Sequence, residues 1–279
     1  MDWAGQMTHL FPSLSLCIHL SEVLATVPML ASSVDWLNQR QLLREGEIAS
    51  PENLMRSRFG RLFRQSRRAR ILFSYPAVVA TLTLQLCSSL VVLSFLAVGW
   101  SPLAPLIVLL CATVLCHLRI DALLDAGNTF PFLCLVPLTV AELIHTPRAM
   151  GIALVFLAAQ AALAYATAGW LKLPEAGWFD GSYLLYVLSS GTAGHAGLWR
   201  WLSRHRRLAA AAGTGMIAVE IMLSFASLLP PWICLLIICS GLCLHASISR
   251  VMGLKNYLWA FAATYPATFF LSTRLYHPH

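Results

Sequence analysis

Apolar windows of 18 residues or more recur from one end of the chain to the other. Each is long enough to cross a hydrocarbon core of about 30 Å as a helix. A soluble chain carries about 25% charged residues, but here only 11% are charged and 58% are hydrophobic. Mean hydropathy is +0.70. Such a composition cannot cover a water-exposed surface. The expected fold is therefore all-α: a polytopic bundle of transmembrane helices, multi-pass in a cell membrane, with the lipid bilayer as its first partner.

Eight crossings are expected, over roughly 10–34, 71–98, 103–118, 129–145, 150–171, 209–229, 232–249 and 256–273. Asp2 stands where a secretory signal has positive charge, and the first apolar stretch is too long for a signal core. That stretch is expected to be a retained helix. Residues 1–70 would form this first helix and a basic cytoplasmic segment. Residues 71–279 would form the transmembrane core.

The net charge is +7. Its positive residues gather in two hydrophilic stretches, between Arg40 and Arg70 and between Arg200 and Arg207. This is topology charge and a match to anionic lipid rather than a nucleic-acid signature. Around Arg61 and Arg64 the pattern suits an amphipathic surface helix, with a partner-docking site as the alternative. Both basic stretches are cytoplasmic only if the piece 182–198 does not cross. Gly191, Gly194, His195 and Gly197 suit a re-entrant or interfacial helix there.

Eight cysteines lie inside apolar segments without C-x-x-C spacing, and are read as small buried residues. No metal is expected.

Charges at bilayer depth cost about 2.5–3.5 kcal/mol each on insertion scales. Lys172 ends one apolar run, with Tyr165, Trp178, Asp180, Gly181 and Tyr183 nearby in sequence. It could snorkel to the interface, or act as a base if held dry. Glu220 lies in mid-span and calls for a lysine, histidine or arginine partner, or a proton-carrying role. His245 is a packing residue or a site residue. His19, Glu22 and Glu142 carry weaker functional weight.

The run Tyr165-Ala166-Thr167-Ala168-Gly169-Trp170-Leu171-Lys172-Leu173, followed by Trp178-Phe179-Asp180-Gly181, resembles a signature of the horizontally transferred transmembrane (HTTM) family. That family is related to vitamin K-dependent gamma-carboxylase and to sporulation-delaying toxin maturation membrane proteins. Glu220, the stretch Cys243-Leu244-His245, Tyr265-Pro266 and the polar junction holding Asn128 extend the resemblance over roughly 71–273. It implies that Lys172 is a base acting on a reduced, vitamin K-like quinone. His245 and Glu220 would belong to the same catalytic core. Asn128, Tyr165, Trp178, Asp180 and Gly181 would bind substrate or cofactor.

The sequence departs from the carboxylase in two places. Asn128-Thr129 replaces an Asn-His pair, and Leu171-Lys172 replaces paired lysines. The large soluble C-terminal domain that grips propeptides has no counterpart either. A related quinone- or oxygen-linked reaction, on a quinone or a peptide substrate, is therefore expected rather than glutamate carboxylation. The alternatives are a non-catalytic factor for maturation or export of a secreted peptide, acting with a small accessory protein, and a small transporter with Glu220 and His245 as proton relay.

Overall fold

A computed structural model describes residues 12–44, 46–47, 49–50, 67–120, 125–191 and 194–276. Among the described residues the regular structure is helical and no strand occurs. The helices are α1 Leu14–Asn38, α2 Arg67–Leu72, α3 Tyr75–Val98, α4 Leu103–Arg119, α5 Ala126–Ile144, α6 Pro147–Lys172, α7 Ala176–Phe179, α8 Ser182–Ser189, α9 Ala196–Arg204, α10 Arg206–Phe225, α11 Pro231–Met252, α12 Lys255–Ala262 and α13 Tyr265–Tyr276.

Among the described residues six helices are long and apolar enough to cross a membrane: α1, α3, α5, α6, α10 with the turn that follows it, and α11. Helix α4, of 17 residues, is a shorter apolar helix. Large apolar side chains such as Ile152, Leu163, Leu171 and Leu236 stand outward on these helices. In a multi-pass membrane protein that outer surface meets lipid.

Local chemistry sets the helix ends. Ser74 precedes α3 with Pro76 in the first turn, and Gly99 closes it in the left-handed region at φ 74°. The Asp125 side chain caps α5 by accepting from the Asn128 N–H.

Two apolar stretches differ from expectation. Residues 182–198 do not form one helix. They contribute to α8 and α9, of eight and nine residues, each only about 12–14 Å long at 1.5 Å per residue. Neither can cross. Leu185, Leu188, Leu202 and Ala209 pack into one small core that holds both. The stretch 256–273 is also divided, at Ala263-Thr264. Pro266 lacks the N–H that would continue α12, and it is tolerated in the first turn of α13. The amphipathic stretch around Arg61 and Arg64 lies outside the described residues.

The cysteines are free, but only Cys17, Cys116, Cys134 and Cys234 are buried. Cys87, Cys111, Cys239 and Cys243 are exposed on helices read as membrane-spanning. The expectation that all eight are buried is corrected: in lipid a small apolar side chain needs no protein cover.

The chain divides into two compact units. One is Glu22–Thr146, here the N-terminal unit. The other joins residues 1–21 to Pro147–His279 and is the C-terminal unit. In the N-terminal unit, Leu43, Val78, Leu82, Cys116 and Ile120 form a core cluster, with Trp36, Leu37, Ala49 and Tyr75 packed against it. Arg119, at the end of α4, is buried beside this cluster. Its Nε donates to the Phe73 carbonyl at 2.9 Å, Nη1 to the Ala49 carbonyl at 2.7 Å and Nη2 to the Leu43 carbonyl at 3.3 Å. Three backbone carbonyls thus replace water around one guanidinium.

Replacing that fork with an apolar side chain orphans three acceptors. Arg119→Leu is expected to lower stability by about 2–3 kcal/mol. The measure is the melting temperature of detergent-solubilised protein. Lys, a compact ammonium, should recover less than half of the loss. Wild-type stability in Arg119→Leu would contradict this account.

Candidate functional site

The C-terminal unit buries a polar network among apolar helices. One stripe of α6 carries Tyr165, Gly169 and Lys172, spaced by four and three residues and therefore on one face. Gly169 lets α10 come close: a Cβ there would lie 2.9 Å from Ile221 Cγ1 and 3.3 Å from the Ile221 backbone nitrogen. Small residues at such crossings are the usual means of close approach between membrane helices.

This approach brings Glu220 of α10 to Lys172. The Lys172 Nζ lies 2.7 Å from Glu220 Oε1 and 2.6 Å from Oε2, a two-oxygen ion pair. The side chains are 19% and 9% exposed. Lys172 is thus not a lysine that merely snorkels. Its ammonium is held by a carboxylate on the neighbouring helix. The Trp178 ring lies 5.5 Å from Lys172 Nζ and adds a cation–π contact.

Two turns earlier on α6, the Tyr165 hydroxyl is the hub of a second group. It lies 2.7 Å from His245 Nε2 on α11 and 2.7 Å from the Tyr265 hydroxyl on α13. Phe261 stacks on the His245 ring, with centroids 4.2 Å apart and planes 8° from parallel. His245 Nδ1 is buried and has no hydrogen-bond partner among the described residues.

A tyrosine hydroxyl has one proton to give. Tyr165 therefore donates to one neighbour and accepts from the other. If it donates to His245 Nε2, then Tyr265 donates to Tyr165. If His245 Nε2–H donates to Tyr165, then Tyr165 donates to Tyr265. Either direction satisfies the row.

Five of the eight residues singled out in the sequence belong to these groups: Lys172, Glu220, Tyr165, His245 and Trp178. Asp180 and Gly181 do different work. Asp180 Oδ1 accepts from the Ser182 N–H at 2.8 Å, and the Ser182 side chain and backbone hold this exposed carboxyl below its usual range. Gly181 has φ 79°, and a Cβ there would meet the Ala209 and Ala210 backbone at 2.6 Å. Together they form the turn that starts α8. Asn128 is part of the N-terminal unit, where its Nδ2 donates to Asp125 Oδ1 at 2.7 Å.

Tyr265 and Phe261 join the network without having been expected as site residues. The only sequence signal was Tyr265-Pro266, one of the stretches that carry the family resemblance. No family model, curated protein or solved structure matches the chain.

A double-mutant cycle tests the ion pair. Lys172→Met and Glu220→Met each leave an uncompensated buried charge, so each is expected to cost about 3–5 kcal/mol. The double variant should cost less than either single one. Losses that simply add in thermal unfolding would show that the two groups do not interact.

Proposed function

We propose that this protein is a membrane enzyme of the HTTM type, and that the Lys172–Glu220 pair is its base. The observation that supports the reading most is the two-oxygen ion pair held in an apolar bundle, on the same helix that presents Tyr165 to His245.

An ion pair of this kind has two protonation states. One is ammonium with carboxylate, the other amine with carboxylic acid. In a low dielectric the charged form loses much of its advantage, because solvation no longer favours it. In the ammonium–carboxylate state Glu220 can accept a proton from a weakly acidic hydroxyl, and loss of water raises its affinity for that proton. Lys172 then remains as an ammonium beside the oxygen anion so formed. The family resemblance gives the base role to Lys172 alone. The geometry favours a division of labour, with Glu220 as acceptor and Lys172 as counter-charge.

A reduced quinone fits the residues present. His245 Nδ1 is an orphaned polar atom that a ring oxygen or hydroxyl would satisfy. Trp178 and Phe261 add aromatic rings next to the Lys172 ammonium and the His245 imidazole. Bound there, a hydroquinone supplies an acidic ring hydroxyl and a pair of electrons. The chain's own part is to orient it, exclude water and move protons: Glu220 at its carboxylate, Tyr165 and His245 along the hydroxyl–imidazole row.

The test uses the full chain in lipid nanodiscs with vitamin K hydroquinone or menaquinol, oxygen and bicarbonate. Wild-type protein should consume the hydroquinone. Lys172→Met and Glu220→Gln should each slow this by about 100-fold or more, the scale of a lost general base. Absence of quinone-dependent quenching of tryptophan fluorescence in the wild type, or unchanged turnover in both variants, would sink the proposal.

A further inference from the structure

The C-terminal unit carries a basic corner that the proposed chemistry leaves unused. Helix α9 ends and α10 begins with His205 alone between them. Arg200 and Arg204 lie on α9, Arg206 and Arg207 open α10, and all four are exposed. Neither helix has an acidic residue in its first turn. None of the four arginines forms an ion pair among the described residues. Hydrogen bonds from Ser182, and after them the charge of Arg206, hold the exposed Asp180 carboxyl low, so Arg206 has an acidic neighbour.

Packing fixes how α9 is turned. Leu202 is buried in the core shared with α8, and Leu198 packs against that core. At 3.6 residues per turn, Arg200 lies about 160° around the helix from Leu198, and Arg204 about 160° from Leu202. The arginines therefore stand away from the core. Trp199 and Trp201 take the two flanks, about 60–100° from the leucines, and are 39% and 50% exposed. His205 holds the corner: its Nδ1 lies 2.8 Å from the Trp201 carbonyl oxygen, and its ring lies 4.9 Å from the Trp201 ring. The Arg200 Nε donates to the Ala196 carbonyl at 3.3 Å, which leaves the two terminal nitrogens of its fork for another acceptor.

Depth is fixed as well. Helix α10 is long and apolar enough to cross a membrane, so its first turn lies at a membrane surface. Helix α9, about 14 Å long, is too short to cross and meets α10 there. Exposed tryptophan rings are favoured at this level, between headgroups and acyl chains. Four like charges between residues 200 and 207 repel one another. Arg206 and Arg207 also stand at the positive end of the α10 dipole, which disfavours cations. A negative charge from outside the chain offsets both effects.

We infer that this corner binds the phosphate of an anionic phospholipid, with Arg200, Arg204, Arg206 and Arg207 as donors and Trp199 and Trp201 beside the acyl chains. Planar guanidinium forks match phosphate oxygens. Topology charge needs only the correct side of the membrane, whereas this corner adds a fixed orientation and an aromatic on each flank. Tryptophans at the lipid boundary favour a lipid over an acidic protein.

The experiment uses the full chain in detergent, washed free of lipid. Phosphatidylglycerol and phosphatidylcholine are titrated separately, and bound lipid is counted by native mass spectrometry. Phosphatidylglycerol should bind and saturate where phosphatidylcholine does not. Inorganic phosphate at the same concentration should not displace it. In Arg200→Gln/Arg204→Gln the affinity for phosphatidylglycerol should fall about 30-fold, the scale of two basic charges at a lipid surface. Arg200→Lys/Arg204→Lys should keep most of it, and Arg148→Gln, at the start of α6, should leave it unchanged. Added NaCl should weaken the binding, because exposed charges are screened. If the double glutamine variant is not recovered, Arg206→Gln/Arg207→Gln takes its place with the same expectation. The inference fails if the two lipids bind alike, if inorganic phosphate displaces phosphatidylglycerol, or if the affinity survives loss of an arginine pair, which would leave the corner to an acidic protein.

Discussion

Every ionisable side chain buried among these helices must replace the water it has lost. Lys172 and Glu220 do so for each other, and much of the C-terminal unit is organised around their meeting. Gly169 brings α10 against α6 one turn before Lys172, beside Ile221 and Glu220. A larger residue there would push Glu220 away from the lysine. The ion pair and the close helix crossing therefore depend on one another. Tyr165, one turn further along the same stripe, gathers α11 and α13 through His245 and Tyr265. A single face of α6 thus carries both polar groups, while its other faces present Ile152, Leu163 and Leu171 outward.

The N-terminal unit meets the same constraint by other means. There the Arg119 guanidinium donates to the backbone carbonyls of Phe73, Ala49 and Leu43. A guanidinium suits this use because its five N–H groups fan out in a plane and can reach several acceptors at once. The carbonyls it takes belong to non-helical or helix-terminal segments, whose acceptors lack partners in a helix ladder. Charge and loop thus satisfy each other.

Hydropathy made most long helices legible, because a span must be apolar over a fixed length. The expected stretches 129–145, 150–171 and 232–249 appear as Ala126–Ile144, Pro147–Lys172 and Pro231–Met252. The break at Ala263-Thr264 was not legible, since apolar residues lie on both sides and a proline in a first turn leaves hydropathy unchanged. Glycine density did mark 182–198 as unfit to span, although not as two helices. Within the site, Glu220 clearly needed a cation, and lysine stood among its possible partners. The choice of Lys172, 48 residues away, depends on which helices touch. Tyr265 was beyond reach for the same reason: its hydroxyl matters through Tyr165, 100 residues distant.

His245 Nδ1 carries the argument furthest. Neither direction of the Tyr165 hydrogen-bond row gives this nitrogen a partner, because both use only Nε2. Changing the tautomer converts an orphaned N–H into an orphaned lone pair and relieves nothing. Leaving a buried polar atom unmet costs about 1–3 kcal/mol, and a phenylalanine at 245 would avoid that cost while still stacking on Phe261. The imidazole is held on one side by Phe261 and at Nε2 by Tyr165, so it cannot turn to find a partner without losing both contacts. A ring fixed in this way, with one nitrogen open, is preorganised for a ligand that brings its own polar atom.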